Sequence, residues 1–421
     1  MNIINFKDNN FTILRDMDEN GRIIGYSYYN NIQIIGRNYF YPNVLLYNKK
    51  DIINPYDEKI MSLNKESFYD NNIYNNDVLE ITNKVVINSS VFFLIYNFDN
   101  YYHFLYDTIP YLYTYIELKK KDPSLKILVN YPNKDKQTFY RFNTEFLYKL
   151  VDKNDIIIHN ENNIYKNMII STSLTHGGLS NNPPRKEIYE VYNILKNNID
   201  YLNIDTKYNN LKKIYVSRRT WLNKDNSNIG TDYTLKRNMI NESDFVEQIK
   251  NCGFVEIFTE NLNTDEKIYI FMNAEYICGS IGGGMSNLLF SKKQTKTYII
   301  VSPYFLDINY RFKYSLENTN FHYFKDTEVY KKDKHSKYSL YIRVKITNKE
   351  NNDYDKIGEI VDTAKENKYI IALSNNDVAG FNNNIKFEQK CFNEDEFEVL
   401  DKGLNSPYTF NFTTIIYNLY H

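Results

Sequence analysis

A histidine and an aspartate four residues apart, His103 and Asp107, stand in the segment Asn100-Tyr101-Tyr102-His103-Phe104-Leu105-Tyr106-Asp107-Thr108-Ile109-Pro110, directly after a strand-like run. On a helix that spacing puts both side chains on one face. An imidazole beside a carboxylate there can relay a proton or accept one from an incoming hydroxyl. The same spacing also serves as a plain helix-stabilising contact. A second segment, Gly279-Ser280-Ile281-Gly282-Gly283-Gly284-Met285-Ser286-Asn287, follows one strand-like run and opens a helix-like one. Glycines at such a turn let backbone approach a ligand closely, and a helix N-terminus attracts phosphate. The turn lacks the Lys-Ser/Thr ending of a P-loop and the GxGxxG spacing, so it also reads as a tight turn with no ligand. The third group is Val216-Ser217-Arg218-Arg219, with Arg237, Asn241 and Glu242 after a polar loop. Arginines at a strand's carboxyl edge can clamp a diphosphate and stabilise a departing nucleotide.

Two blocks of alternating strands and helices must position these groups. In the first, Val91–Tyr96, Lys126–Val129 and Asp155–Ile158 read as strands; Tyr101–Lys120, Thr138–Val151 and Pro184–Asn197 read as helices, the last opened by proline. In the second, Lys213–Ser217, Phe254–Phe258, Tyr276–Gly279 and Thr297–Val301 read as strands, and Glu242–Cys252 and Thr264–Asn273 as helices, with a further helix starting at Ser286–Phe290. The pattern predicts an α/β protein with two open parallel sheets, two Rossmann-like domains facing a cleft. Residues 1–90 are predicted as a β-rich N-terminal region, 91–205 as the first α/β domain, 206–330 as the second, and 331–421 as a small C-terminal α/β appendage. In that appendage Ser339–Ile346, Tyr369–Leu373, Lys386–Phe392 and Thr409–Tyr417 read as strands, and Lys356–Lys365 as an amphipathic helix.

Composition excludes several function classes. The 51 Lys and Arg nearly cancel the 52 Asp and Glu, so there is no basic excess to drive binding to a nucleic-acid backbone. The 41 Tyr and 26 Phe reflect a core built from Ile, Tyr and Phe in a chain poor in Leu and Ala. The bias towards Asn, Ile, Lys and Tyr fits an AT-rich genome, such as that of a large DNA virus or an AT-rich microbe. Three scattered cysteines, Cys252, Cys278 and Cys391, make no disulfide framework and no zinc motif, so no structural metal is expected. No run approaches the ~18 apolar residues of a membrane span, and the N-terminus lacks a signal-peptide pattern. The expectation is a soluble protein of a reducing compartment, the cytoplasm (that of a host cell for a viral source).

Taken together and in order, the three segments resemble the family 61 glycosyltransferases over roughly residues 90–305. That family includes plant xylosyl- and arabinosyltransferases and animal GlcNAc transferases acting on protein-linked glycans or Ser/Thr. The resemblance implies a GT-B fold and inverting, metal-independent transfer from a nucleotide-sugar, a UDP-sugar, to a glycan or glycoprotein acceptor. It places His103 and Asp107 as catalytic residues on the acceptor side. Ser217, Arg218 and Arg237 fall around the donor phosphates with Asn241 and Glu242 nearby, and Gly282, Gly283, Gly284, Ser286 and Asn287 lie under the nucleotide. One departure stands out. Where the family reads Gly-x-His-Gly-Ala-Gly-Leu, this chain has Ile281 for the histidine and Met285 for the leucine. The segment Thr175-His176-Gly177-Gly178 could supply an imidazole from the other domain, though a glycine-rich loop with a histidine also reads as only a loop. The alternative reading is a noncatalytic glycan- or nucleotide-binding protein on a degenerate transferase scaffold.

Overall fold

The computed structural model describes residues 2–35, 45–57, 84–97, 99–132, 138–175, 183–219, 236–304, 320–332, 336–364, 368–374, 388–401 and 403–420. The chain divides into two compact units: residues 1–204 with 263–269, and residues 205–262 with 270–421. Among the described residues no helix is long and apolar enough to cross a membrane.

The first unit is built on β1 (Asn2–Asn5), β2 (Phe11–Arg15), β3 (Ile24–Ile35), β4 (Leu45–Tyr47), β5 (Asp51–Asn54), β6 (Val85–Phe93), β7 (Lys126–Val129), β8 (Ile156–Ile158) and β9 (Asn163–Ser171). They form a nine-stranded sheet of order β1-β5-β4-β3-β9-β6-β7-β8, with β2 paired to β3. The stretch β9-β6-β7-β8 is parallel throughout, whereas β3 runs antiparallel to β9. Because β9 crosses back to the far side of β6, these two non-consecutive strands end side by side. Neighbours of this kind form the crevice where open sheets bind ligands. Val91, Phe92 and Phe93 at the end of β6 are fully buried, as expected for a strand covered on both faces.

Helix α1 follows β6. It is α-helical over Tyr101–His103, π-helical over Phe104–Thr108, and α-helical again over Ile109–Lys121. Pro110 explains the wide turn. An α-helical proline lacks its N–H and presses on the carbonyl four residues back; widening the turn relieves that clash. The Ile109 amide accordingly bonds Phe104 O, five residues back. The carbonyl a wide turn would offer Pro110, that of Leu105, takes the Tyr192 hydroxyl instead at 2.8 Å. Tyr192 belongs to α3 (Ile188–Asn197); α2 is Arg141–Leu150. One turn beyond the wide segment, the Tyr111 hydroxyl donates to Ser171 O at 3.0 Å and accepts from Ser171 N at 3.1 Å. This double contact pins α1 to the end of β9.

The second unit contains β10 (Lys213–Val216), β11 (Val255–Ile257), β12 (Tyr276–Ser280), β13 (Lys296–Ile300) and β14 (Phe321–Phe324), all parallel, in the order β11-β10-β12-β13-β14. Helices α4 (Glu242–Asn251) and α5 (Thr264–Asn273) connect the first three strands in sequence. In chain order this is 2-1-3-4-5, and open parallel sheets of that order bind ligands beyond the carboxyl ends of their first and third strands. Here those strands are β10 and β12. The mixed α/β class with parallel sheets is therefore as expected from the sequence.

Three local expectations are corrected. The amphipathic helix expected over residues 356–365 is not formed in the described part of that segment: Ile357–Thr363 is a strand, β17, between two antiparallel neighbours. Residues 409–417 are not one strand but the end of a short strand, β21 (Tyr408–Phe410), and the start of a helix, α6 (Thr413–Tyr420). The segment after the glycines, Gly283–Phe290, is a 3-10 helix. The other strands of this region are β15 (Thr327–Val329), β16 (Arg343–Ile346), β18 (Lys368–Ser374), β19 (Glu388–Asn393) and β20 (Phe397–Val399). They pair as β15-β21 and as the antiparallel sheet β19-β18-β17-β16-β20.

Candidate active site

In the first unit, the carboxyl ends of β6 and β9 bring together residues far apart in sequence. Asn100 starts α1, its side-chain oxygen accepting from the Tyr102 and His103 amides at 3.1 and 3.3 Å. His103 Nδ1 lies 2.8 Å from Asp107 Oδ2. Thr175, just beyond β9, donates its hydroxyl to Asp107 Oδ1 at 2.9 Å. Asp107 is wholly buried, and His103 keeps 35% of its side chain exposed. A buried carboxylate needs such donors, since burying an unpartnered charge is prohibitive. An ionised Asp107 only accepts hydrogen bonds, so Nδ1 carries a proton, and in a neutral ring the lone pair is then on Nε2. An imidazole held this way can accept a proton when neutral, oriented from behind by Asp107. Sequence reasoning named His103 and Asp107 but missed Thr175. It noted that segment only for its histidine, and His176 lies outside the described residues.

In the second unit, the Arg218 and glycine segments meet beyond the carboxyl ends of β10 and β12. Arg218 leaves the end of β10 and donates Nη1 to Ile281 O at 3.2 Å. A Cβ on Gly282 would stand 2.0 Å from that same nitrogen. The glycine is thus required by the guanidinium packed on it, not by its own backbone, which is extended. Gly284 is equally confined: its Cβ would meet Val216 Cγ1 and Thr259 Oγ1 at 2.9 Å. Gly283 lies between them in the first turn of the 3-10 helix.

Glu242 holds the turn after β10 together. Its Oε1 accepts from Tyr215 OH at 2.8 Å, Ser217 Oγ at 3.2 Å and the Arg218 amide at 2.8 Å. Burial pushes its carboxyl above the usual range, against the pull of these donors and the Arg218 charge. Its Oε2, the Nε of Arg218 and the Oγ of Ser286 are buried polar atoms without hydrogen-bond partners among the described residues. Such atoms are uncommon in native proteins, and three of them among the residues of one expected site accord with a polar ligand.

The remaining expected residues divide. Arg237 adopts φ 55°, an unusual conformation for a residue with a side chain, and its amide donates to Asn405 O at 2.8 Å. Asn241 is occupied structurally: its amide bonds Phe410 O at 2.9 Å and its oxygen accepts from Phe410 N at 3.1 Å. Asn287 caps its own turn by donating to Gly284 O at 2.9 Å. Arg219, next to Arg218, is drawn aside by Glu256, with contacts of 2.6–2.9 Å. Among the described residues no group of three or more His, Cys, Asp or Glu could hold a metal ion.

Residues 101–298 match the family model described as Glycosyltransferase 61. The chain carries a family 61 glycosyltransferase domain. It begins at Tyr101, the first residue of α1, and ends within β13, so His103, Asp107, Thr175, Arg218, Glu242 and the glycine segment all fall inside it. No curated protein matches the chain. Within the glycosyltransferase domain, Ile281 is buried, with its amide bonded to Ile300 O at 3.0 Å and its carbonyl to Arg218. The family's histidine position is thus filled here by an apolar side chain, whose main chain orients an arginine.

Proposed function

We propose that the chain is an inverting, metal-independent glycosyltransferase of GT-B type, transferring a sugar from a nucleotide donor, a UDP-sugar, to a hydroxyl of a glycan or protein. Its setting would be the cytoplasm, with no cofactor beyond the donor itself. The observation that carries the donor half of this reading is Arg218 packed on Gly282 beyond the carboxyl ends of β10 and β12. A charged fork fixed beside a glycine turn suits a diphosphate, whose negative charge grows as the bond to the sugar breaks. Residues 206–330 would hold the donor, with Ser217, Arg237, Glu242 and Ser286 around it; residues 91–205 would serve the acceptor.

Burial of Asp107 supports His103 as the base. Nε2 takes the proton of the acceptor hydroxyl as its oxygen attacks the anomeric carbon opposite the nucleotide. The carbon–oxygen bond to the diphosphate breaks, and the configuration inverts. Asp107 holds the tautomer and stabilises the imidazolium, and Thr175 holds Asp107.

A thermal-shift screen of UDP-, GDP- and CMP-sugars tests the donor reading, because a ligand that binds the native state raises its melting temperature by mass action. Slow donor hydrolysis, or transfer to an acceptor, is the expected sequel. Ile281 favours a second reading, a nucleotide-binding protein without chemistry. Tight UDP binding with no turnover under any acceptor would establish that reading. No shift with any nucleotide-sugar would overturn both.

A further inference from the structure

Two backbone carbonyls aim the Arg218 guanidinium. Ile281 supplies one, and Lys236 supplies the other, accepting from Nη2 at 3.0 Å. Lys236 is anchored from beyond the family domain. Its ammonium pairs with Glu359 Oε2 at 2.7 Å, with the two side chains only 8% and 4% exposed. Glu359 lies within β17, in register with Arg343 on β16 and Ala372 on β18, so a sheet fixes its carboxylate. The ammonium also stands 5.8 Å from the Tyr341 ring centre. The residues after Lys236 are held by the same part of the chain. The Arg237 amide bonds Asn405 O, the Ile240 amide bonds Tyr408 O, and the Tyr408 amide bonds Asn238 O. A buried ion pair is a poor source of stability, since apolar residues of similar volume often serve as well or better. What it does supply is a fixed position for the backbone that carries it.

We infer that Glu359 is a positioning residue for the donor site: through Lys236 it sets the carbonyl that orients Arg218, so the C-terminal sheet outside the family domain tunes diphosphate binding. The inference rests on the reading of Arg218 as a diphosphate contact. A misplacement of about 1 Å in a positioning group can cost on the order of 100-fold in rate.

The test is a double-mutant cycle on the full chain, with UDP as the probe and titration calorimetry as the readout. Arg218→Ala and Glu359→Gln are each expected to weaken UDP binding. In the Arg218→Ala background, Glu359→Gln should weaken it no further, because the group it positions is gone. Additive losses would show a merely structural role and overturn the inference. So would wild-type affinity in Glu359→Gln. If instead Arg218→Ala binds UDP like the wild type, the donor reading itself fails. Should Glu359→Gln not fold, the apolar pair Lys236→Met/Glu359→Leu carries the same test: weakened UDP binding at near-native melting temperature supports the inference, and native affinity overturns it.

Discussion

Replacing Gly282 with alanine should disable the donor arginine without unfolding the protein. The added Cβ would fall 2.0 Å from Arg218 Nη1, well inside contact distance. The backbone at Gly282 is extended, with φ 164°, so alanine brings no conformational strain there. The strain must instead be relieved by the guanidinium, the mobile end of a long side chain, which swings out and gives up its bond to Ile281 O. A charge-assisted hydrogen bond contributes about 1.5–3 kcal/mol. At about 1.4 kcal/mol per tenfold, its loss from the nucleotide contact raises the UDP dissociation constant by roughly 10- to 100-fold. Gly279→Ala provides the contrast. Its Cβ would meet Met285 Sδ at 2.6 Å and Val216 Cβ and O at 3.1 Å, atoms of the packed interior. Overpacking of that kind costs about 1–3 kcal/mol of stability. Calorimetric titration with UDP beside thermal denaturation separates the two variants: Gly282→Ala should lose affinity more than stability, and Gly279→Ala the reverse. If Gly282→Ala binds UDP as the wild type does, Arg218 does not contact the nucleotide from this position, and the donor reading is wrong.

Four further outcomes are expected. Asp107→Asn should leave UDP affinity nearly unchanged while turnover falls by roughly 10²–10⁴-fold; near-native turnover in folded protein would remove Asp107 from the catalytic apparatus. Thr175→Val should lower turnover by about tenfold, the scale of one hydrogen bond of ~1–1.5 kcal/mol. A lower melting temperature with unchanged kcat would mark that contact as structural only. Because Glu242 is raised by burial in the folded state, its contribution to stability is greatest at low pH and is lost as pH rises through its folded pKa. The pH–stability curve of Glu242→Gln should lack that fall above the ordinary glutamate range. Transfer is also expected to persist in EDTA, measured as sugar incorporated into acceptor; complete loss restored by manganese would reveal a metal-held donor.

What the sequence made legible was what local chemistry decides. The alternation from Lys213 to Ile300 could be read because each strand is a short apolar run and each helix carries its own period and breaker, such as Gly253 after α4. His103 and Asp107 could be paired because the distance between them is intrinsic to a helix. The wide turn between them was not anticipated, although Pro110 was in view. Ile357, Ile360 and Val361 mimic a helical stripe, yet pairing with β16 and β18 makes the segment a strand; tertiary context overrides a weak period. Strand β9 escaped notice because Asn and Lys interrupt its apolar residues. Thr175 meets Asp107 across 68 residues, and Lys236 meets Glu359 across 123. Such contacts are set by the order of strands in a sheet, which no local pattern encodes.

The bond between Asn241 and Phe410 spans 169 residues, with Ile240 and Tyr408 joined alongside it. A chain emerging from a ribosome at roughly 5–20 residues per second completes that gap in about 10–30 s. During this interval the sheet carrying Arg218 can form, but the segment from Asn238 to Asn241 still lacks its partners Tyr408 and Phe410. The backbone that supports Arg218 is therefore completed only once Tyr408 and Phe410 have been made, so the turn after β10 depends on a stretch of chain synthesised well after the family 61 domain it serves.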